Sequence, residues 1–91
     1  MFCVVCYDIV DDSLRQRLSN KLLGYGTRIQ DSVFECLLDE ELYGRLLEDL
    51  DKVGLADTDR VRIYRMCRRC VDGVQIYGSG EVTRDPEYYL V

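Results

Sequence analysis

Asp8 is the residue of this 91-residue chain best placed to do chemistry. It follows an unbroken apolar run, Phe2 to Tyr7, within Met1-Phe2-Cys3-Val4-Val5-Cys6-Tyr7-Asp8-Ile9. A run so rich in β-formers predicts a strand buried on both faces. The carboxylate then stands where that strand leaves the core, just ahead of Val10-Asp11-Asp12. Open α/β sheets gather their chemistry in the crevice outside the carboxyl ends of central strands. A carboxylate there is half-shielded, rigidly held and within reach of a metal ion or a phosphate-bearing substrate. The plainer reading is that Asp8 starts the turn or caps the next helix. Asp11, Asp12 and Ser13 already offer three caps, which leaves Asp8 free for another role.

What stands around Asp8 narrows the chemistry. Histidine is absent. That removes Ser-His and Cys-His nucleophilic pairs, His-ligated zinc protease sites and any imidazole base. Catalysis must run on carboxylates, Tyr, Ser, Arg or a metal ion held by oxygen. The net charge of −5 speaks against indiscriminate nucleic-acid binding, yet the charge is segregated. Glu35 to Asp59 holds nine acids against Arg45 and Lys52, whereas Arg60 to Cys70 holds five arginines and no acid. Ten of the twelve basic residues are Arg, whose planar fork pairs with phosphate in two places. Arg62 and Arg65 in that stripe are candidate phosphate contacts. Arg60 and Arg62 also fit a strand edge protected by charge. Arg15 and Arg17 are a second candidate pair, because cations near the start of a helix run against its dipole.

The five cysteines form an odd set without secretory context, so no disulfide framework is expected. Cys3 and Cys6 are three apart on a strand and point to opposite faces, so they cannot chelate one ion. With Cys36 they read as small core residues. Cys67 and Cys70 form a single C-x-x-C, and no second pair or histidine exists to complete a structural zinc site. Thiols beside arginines are open to reaction; a plain turn is the simpler reading.

The elements that must position these groups follow from periodicity. Leu14, Leu18 and Leu22, widened by Leu23, predict an amphipathic helix over 13–23. Ser13 and Gln16 would form its capping box, and Gly24 and Gly26 its stop. Over 27–38 the apolar phase switches at Asp31-Ser32, which predicts two strands joined there, or one sharply bent. Asp39 caps a second helix whose buried stripe is Leu42, Leu46, Leu47, Leu50 and Val53. From Arg60 the chain alternates, Val61 and Ile63 to one face and Arg60, Arg62 and Tyr64 to the other. Val74 to Tyr77 reads as a further short strand. Gly78-Ser79-Gly80 is a hinge before a tail that ends Tyr88-Tyr89-Leu90-Val91. The order is that of an α+β, ferredoxin-like βαββαβ sandwich over 1–80, with an extra C-terminal strand open to exchange in a homodimer. The tail over 81–91 is expected to dock on the dimer or a partner. One domain with no membrane-length apolar run and no signal-like amino terminus is expected in the cytoplasm.

The strand ending Tyr7-Asp8-Ile9, the helix with Arg15 and Arg17, Ser32-Val33-Phe34-Glu35, Arg62-Ile63-Tyr64 and Cys67-x-x-Cys70 occur in a familiar order. In this ordered set the chain, from Phe2 to about Ile76, resembles the second of the two universal CRISPR-associated adaptation proteins, the small partner of the CRISPR integrase. The resemblance implies a homodimer in which Asp8 faces its two-fold mate and the carboxy-terminal strand pairs with the other subunit's sheet. It implies a metal-dependent endonuclease, of endoribonuclease type, in antiviral defence and spacer acquisition. Mg²⁺, or Mn²⁺, would be held by Asp8, with Asp11, Asp12 and Asp31 as further possible ligands. It equally implies a non-catalytic adaptor that binds DNA, RNA or double-stranded DNA being the nucleic acids in question, within the integrase complex. A toxin-like ribonuclease of the same shape is a third reading. Cys3 and Cys6 depart from the plain aliphatics common at those positions.

Overall fold

A computed structural model describes residues 1–83. The elements run β1 (Phe2–Asp8), α1 (Asp12–Leu22), β2 (Gly26–Gln30), β3 (Val33–Leu37), α2 (Glu40–Asp51), β4 (Arg60–Met66) and α3 (Arg68–Asp72). The four strands form one antiparallel sheet in the order β2-β3-β1-β4. This is the expected α+β, ferredoxin-like arrangement, with β1 paired along both edges.

Alternation along β1 sorts the molecule into two faces. Cys3, Val5 and Tyr7 point to the helices and join Leu14, Leu18 and Leu22 of α1, Leu46 of α2, and Phe34 and Cys36 of β3 in one buried core. The Tyr7 and Phe34 rings stack at 6.4 Å within it. The even residues of β1 look the other way, toward a face without helices. There Phe2 is buried, Val4 and Cys6 are half-buried and Asp8 is exposed, so the second face is buried only at the start of the strand within one chain.

Helices α1 and α2 start where a short acid accepts a backbone hydrogen bond. Leu42 N–H donates to the Asp39 carboxylate at 2.8 Å, as the sequence predicts. At α1 the cap is Asp11, which takes the Leu14 N–H at 2.8 Å. Ser13 therefore lies inside the helix, and the capping box does not form. The buried stripe of α2 is also narrower than its leucines suggest. Leu46 is fully buried, while Leu42 and Leu47 are 38% and 39% exposed at the edges.

The join at Asp31-Ser32 is a two-residue hairpin turn, and a bulge between Arg28 and Gln30 brings β2 back into register. Gly26 does not end α1 but opens β2. It pairs with Cys36, and a Cβ there would meet the Cys36 Sγ at 2.5 Å and its Cα at 2.9 Å. Tyr25, just before it, donates to Asp49 of α2, and this bond holds the phenol's pKa up to about 12.

Two further expectations change after β4. Cys67 and Cys70 sit at the start of α3 rather than in a plain turn. Val74 to Tyr77 is not a strand; Val74, Ile76 and Tyr77 are exposed coil. Beyond the glycine hinge the backbone N–H and the hydroxyl of Thr83 both donate to Glu35, at 3.1 and 2.7 Å, on the helix-free face of the same chain's sheet. The rest of the tail, with Tyr88 and Tyr89, lies outside the described residues.

Gly26→Ala should detach β2 from β3, since the obstacles in its way are the Glu35 carbonyl, the Cys36 backbone and a buried thiol. Overpacking of this kind costs about 3 kcal/mol, and a thermal melt should fall by roughly 10 °C or more. A melt unchanged within a degree or two would show that the pairing at Gly26 is looser than described.

Candidate active site

Asp8 is the last residue of β1 and the last on its even-numbered face. Its side chain is exposed, and among the described residues it has neither ion pair nor hydrogen-bond partner. Across the ladder it is opposite Arg60, and one pair along the same face Cys6 is opposite Arg62. Cys6, Tyr7, Asp8, Arg60 and Arg62 line a cleft of about 320 Å³ on this side. On the other side of the strand end, a cleft of about 380 Å³ is lined by Asp8 together with Arg15, Arg28 and Asp31. One carboxylate thus looks into two basic-walled hollows.

Three anchors hold the strand end in place. Tyr7 ties it to the hairpin turn: its hydroxyl donates to the Asp31 carbonyl at 2.9 Å and its N–H to the Ser32 carbonyl at 3.1 Å. Arg15 reaches back from α1 and donates to the Ile9 carbonyl at 2.8 Å. Asp59, immediately before β4, accepts from Val10 N–H at 3.1 Å and Ala56 N–H at 2.9 Å, so it clasps the loop after Asp8 to the loop entering β4. Asp59 and Arg28 escaped the sequence reading. A clasp 49 residues away in sequence leaves no local signal.

The structure divides the four candidate arginines. Arg62 is on the open face with Asp8, and its guanidinium donates to the Tyr64 hydroxyl at 3.3 Å. Arg15 lines the second cleft but is committed to Ile9 and to an ion pair with Asp12. Arg17 lies elsewhere, in a groove between α1 and α2 with Lys21, Asp49 and Lys52. Arg65 is on the helix side, 5.3 Å from the centre of the Tyr43 ring. Parity carried that last signal, because residue 65 shares the face of Val61 and Ile63.

The acids near Asp8 are likewise occupied. Asp11 caps α1, Asp12 pairs with Arg15, and Asp31 pairs with Arg28 at 3.0 Å. No group of three or more metal-binding side chains occurs among the described residues. In one chain, Asp8 stands as a single unpartnered carboxylate.

An antiparallel sheet of this order, covered by helices on one side and carrying a free aspartate at the end of its central strand, defines a small ferredoxin-like protein with a polar site on the sheet's rim. Residues 1–74 match the family model described as CRISPR associated protein Cas2, and the chain belongs to that family. The CRISPR-associated endoribonuclease Cas2 3 of Chloroflexus aurantiacus is 42% identical over 91 residues, covering 100% of this chain and 98% of that protein. The crystal structure of Streptococcus pyogenes Cas2 is similar in fold, with a TM-score of 0.73 at 24% identity, covering 86% of this chain and 100% of that one. A chain from a partial Cas6-RT-Cas1–Cas2 complex superposes with a TM-score of 0.69 at 25% identity, covering 82% of this chain and 88% of its own.

Asp59→Ala should free the amides of Val10 and Ala56 at once. The expected cost is about 1–2 kcal/mol, with faster hydrogen exchange confined to those two loops. Equal exchange rates in wild type and variant would remove Asp59 as the clasp.

Proposed function

We propose that this chain is a metal-dependent endonuclease of the endoribonuclease type that serves CRISPR adaptation in the cytoplasm, a reading supported by relatives named as CRISPR-associated endoribonucleases. The observation that carries the reading is the exposed, unpartnered Asp8 carboxylate at the end of the central strand, beside Arg60 and Arg62. A carboxylate held on a paired strand, anchored by Tyr7 and Asp59, is pre-positioned for a phosphodiester without using it for the fold.

The active unit of this proposal is a homodimer. Val4, Cys6, Val33, Leu37 and Met66 are half-buried on the face that the helices leave open, a surface suited to a second copy of itself. A two-fold axis there would bring a second Asp8 to the first. Mg²⁺ keeps most of its waters and takes one or two carboxylates, so paired Asp8 side chains fit it, or Mn²⁺, where a single chain offers half a site. When bound, such an ion polarises a phosphoryl oxygen and lowers the pKa of water. The chain's own residues bind and orient: Arg62, steadied by Tyr64, presents its fork to a phosphate, and Arg60 adds charge beside it. Arg15 acts indirectly, by holding the Ile9 carbonyl and with it the backbone after Asp8.

A second reading has its own support. Asp11, Asp12 and Asp31 are taken by other partners, so each chain brings one ligand. One solved neighbour comes from a complex named for Cas1 as well as Cas2. A non-catalytic adaptor that holds double-stranded DNA for the integrase subunit would use the same dimer and the same arginines.

The decisive comparison is cleavage of RNA and of duplex DNA by rigorously purified wild type and Asp8→Asn, with Mg²⁺ or chelator. Wild type should cleave with Mg²⁺ only, and Asp8→Asn should lose roughly two orders of magnitude or more with binding and fold retained. Equal cleavage by both proteins would move the activity to another residue or a contaminant. A wild type that never cleaves, yet supports spacer integration with its partner, would establish the adaptor.

Arg62 and Arg65 give an internal control for the binding face. Arg62→Ala should weaken binding across all sequences and reduce the salt slope by about 1. Arg65→Ala should leave that slope alone, because its guanidinium covers Tyr43 on the helix side. The same slope change in both variants would mean that the nucleic acid does not lie on the open face.

A further inference from the structure

Cys67 and Cys70 are exposed free thiols whose sulfurs lie 3.3 Å apart. The three other cysteines are unlike them. Cys3 and Cys36 are buried opposite each other in the sheet, and burial pushes both thiols up, Cys36 to about 11. Cys6 is half-buried and alone on the other face. Only the α3 pair joins access to solvent with a second sulfur in reach. Neither thiol takes part in the Asp8 site, and the core is closed without them.

We propose that Cys67 and Cys70 form a thiol–disulfide exchange site that accepts small disulfides of the glutathione type and closes into an intrachain disulfide. Cys67, as thiolate, attacks one sulfur of the oxidant; that S–S bond breaks, a mixed disulfide forms on Cys67, and one glutathione thiolate leaves. Cys70 then gives its proton to solvent and attacks the Cys67 sulfur, which expels the second glutathione. The two cysteines lose two electrons and the oxidant gains them. Closure asks the sulfurs to move from 3.3 Å to about 2.05 Å. The two residues share the first turn of α3, so no strand has to move.

The roles are unequal. The Cys70 backbone N–H and the contact between the two sulfurs lower the Cys67 pKa, while that same contact raises that of Cys70. The attacking sulfur is therefore Cys67, and Cys70 resolves. The bond would staple α3, whose Val71 is buried, at the point where the chain leaves β4 for the segment that returns to Glu35. Disulfides that form and break in reducing compartments are of this exposed, sensing kind.

Reduced wild type treated with glutathione disulfide should lose two hydrogens in intact mass, retain no glutathione, and recover with dithiothreitol. Peptide mapping should join Cys67 to Cys70. Cys70→Ser should stop at one glutathione adduct on Cys67, and Cys67→Ser should take its adduct about tenfold more slowly. The proposal is overturned if wild type retains its glutathione, if the bond forms between chains, if Cys6 is the residue modified, or if both variants react at one rate. None of these readouts depends on nuclease activity or on nucleic acid, so a failure here is distinct from a failure of the Asp8 reading.

Discussion

The pairing of β1 along both its edges is the constraint from which the rest of the structure follows. Side chains on a strand alternate, so one register decides which residues meet the helices and which do not. With Cys3 opposite Cys36 on one side and Arg65 on the other, Val5 and Tyr7 fall on the leucines of α1 and on Leu46. Asp8 then falls on the open face. A slip of one residue would turn Asp8 toward apolar side chains, where an unpaired carboxylate costs several kcal/mol. Core packing and site geometry are thus specified together: the leucines that bury Val5 also hold Asp8 outward.

The sequence could show this much because the decisive signals were local. An apolar run ended by an acid, a phase switch at Asp31-Ser32 and an acid before Glu40-Glu41 each point to one element or one join. What it hid was long-range or a matter of face. Asp59 clasps Val10 across most of the chain, and nothing near either residue announces it. Ser13 looked as good a cap as Asp11, because both are short side chains with an acceptor oxygen; the choice depends on where the chain comes out of β1. Arg15 and Arg17 are adjacent in type but two residues apart on a helix, hence about 200° apart in direction. That arithmetic alone separates the groove of Arg17 from the cleft of Arg15. The strand expected at 74–77 had the right alternation but pairs with neither edge strand, β2 nor β4, in the single chain, and a strand without a ladder is only a pattern.

The open face itself is graded. At one end Phe2 is paired with Leu37 and Met66; at the other Asp8 is paired with Arg60, and Cys6 with Arg62. Charge increases steadily along β1 and β4 from α3 toward the exit of the central strand. The grading separates two tasks on a surface too small to keep them apart otherwise. The half-buried apolar residues suit permanent contact, because covering them with a second copy would stabilise the assembly by about 25 cal/mol per Å² of apolar surface. The charged rim suits reversible contact. Asp8 and Arg60 face each other in water, where an exposed pair is worth at most about 1 kcal/mol. Neither charge is locked by the other, and both stay available to a phosphate or a cation. A buried pair at the same place would be a structural bridge. Exposure at the end of a rigid strand is what leaves the Asp8 carboxylate without a partner of its own.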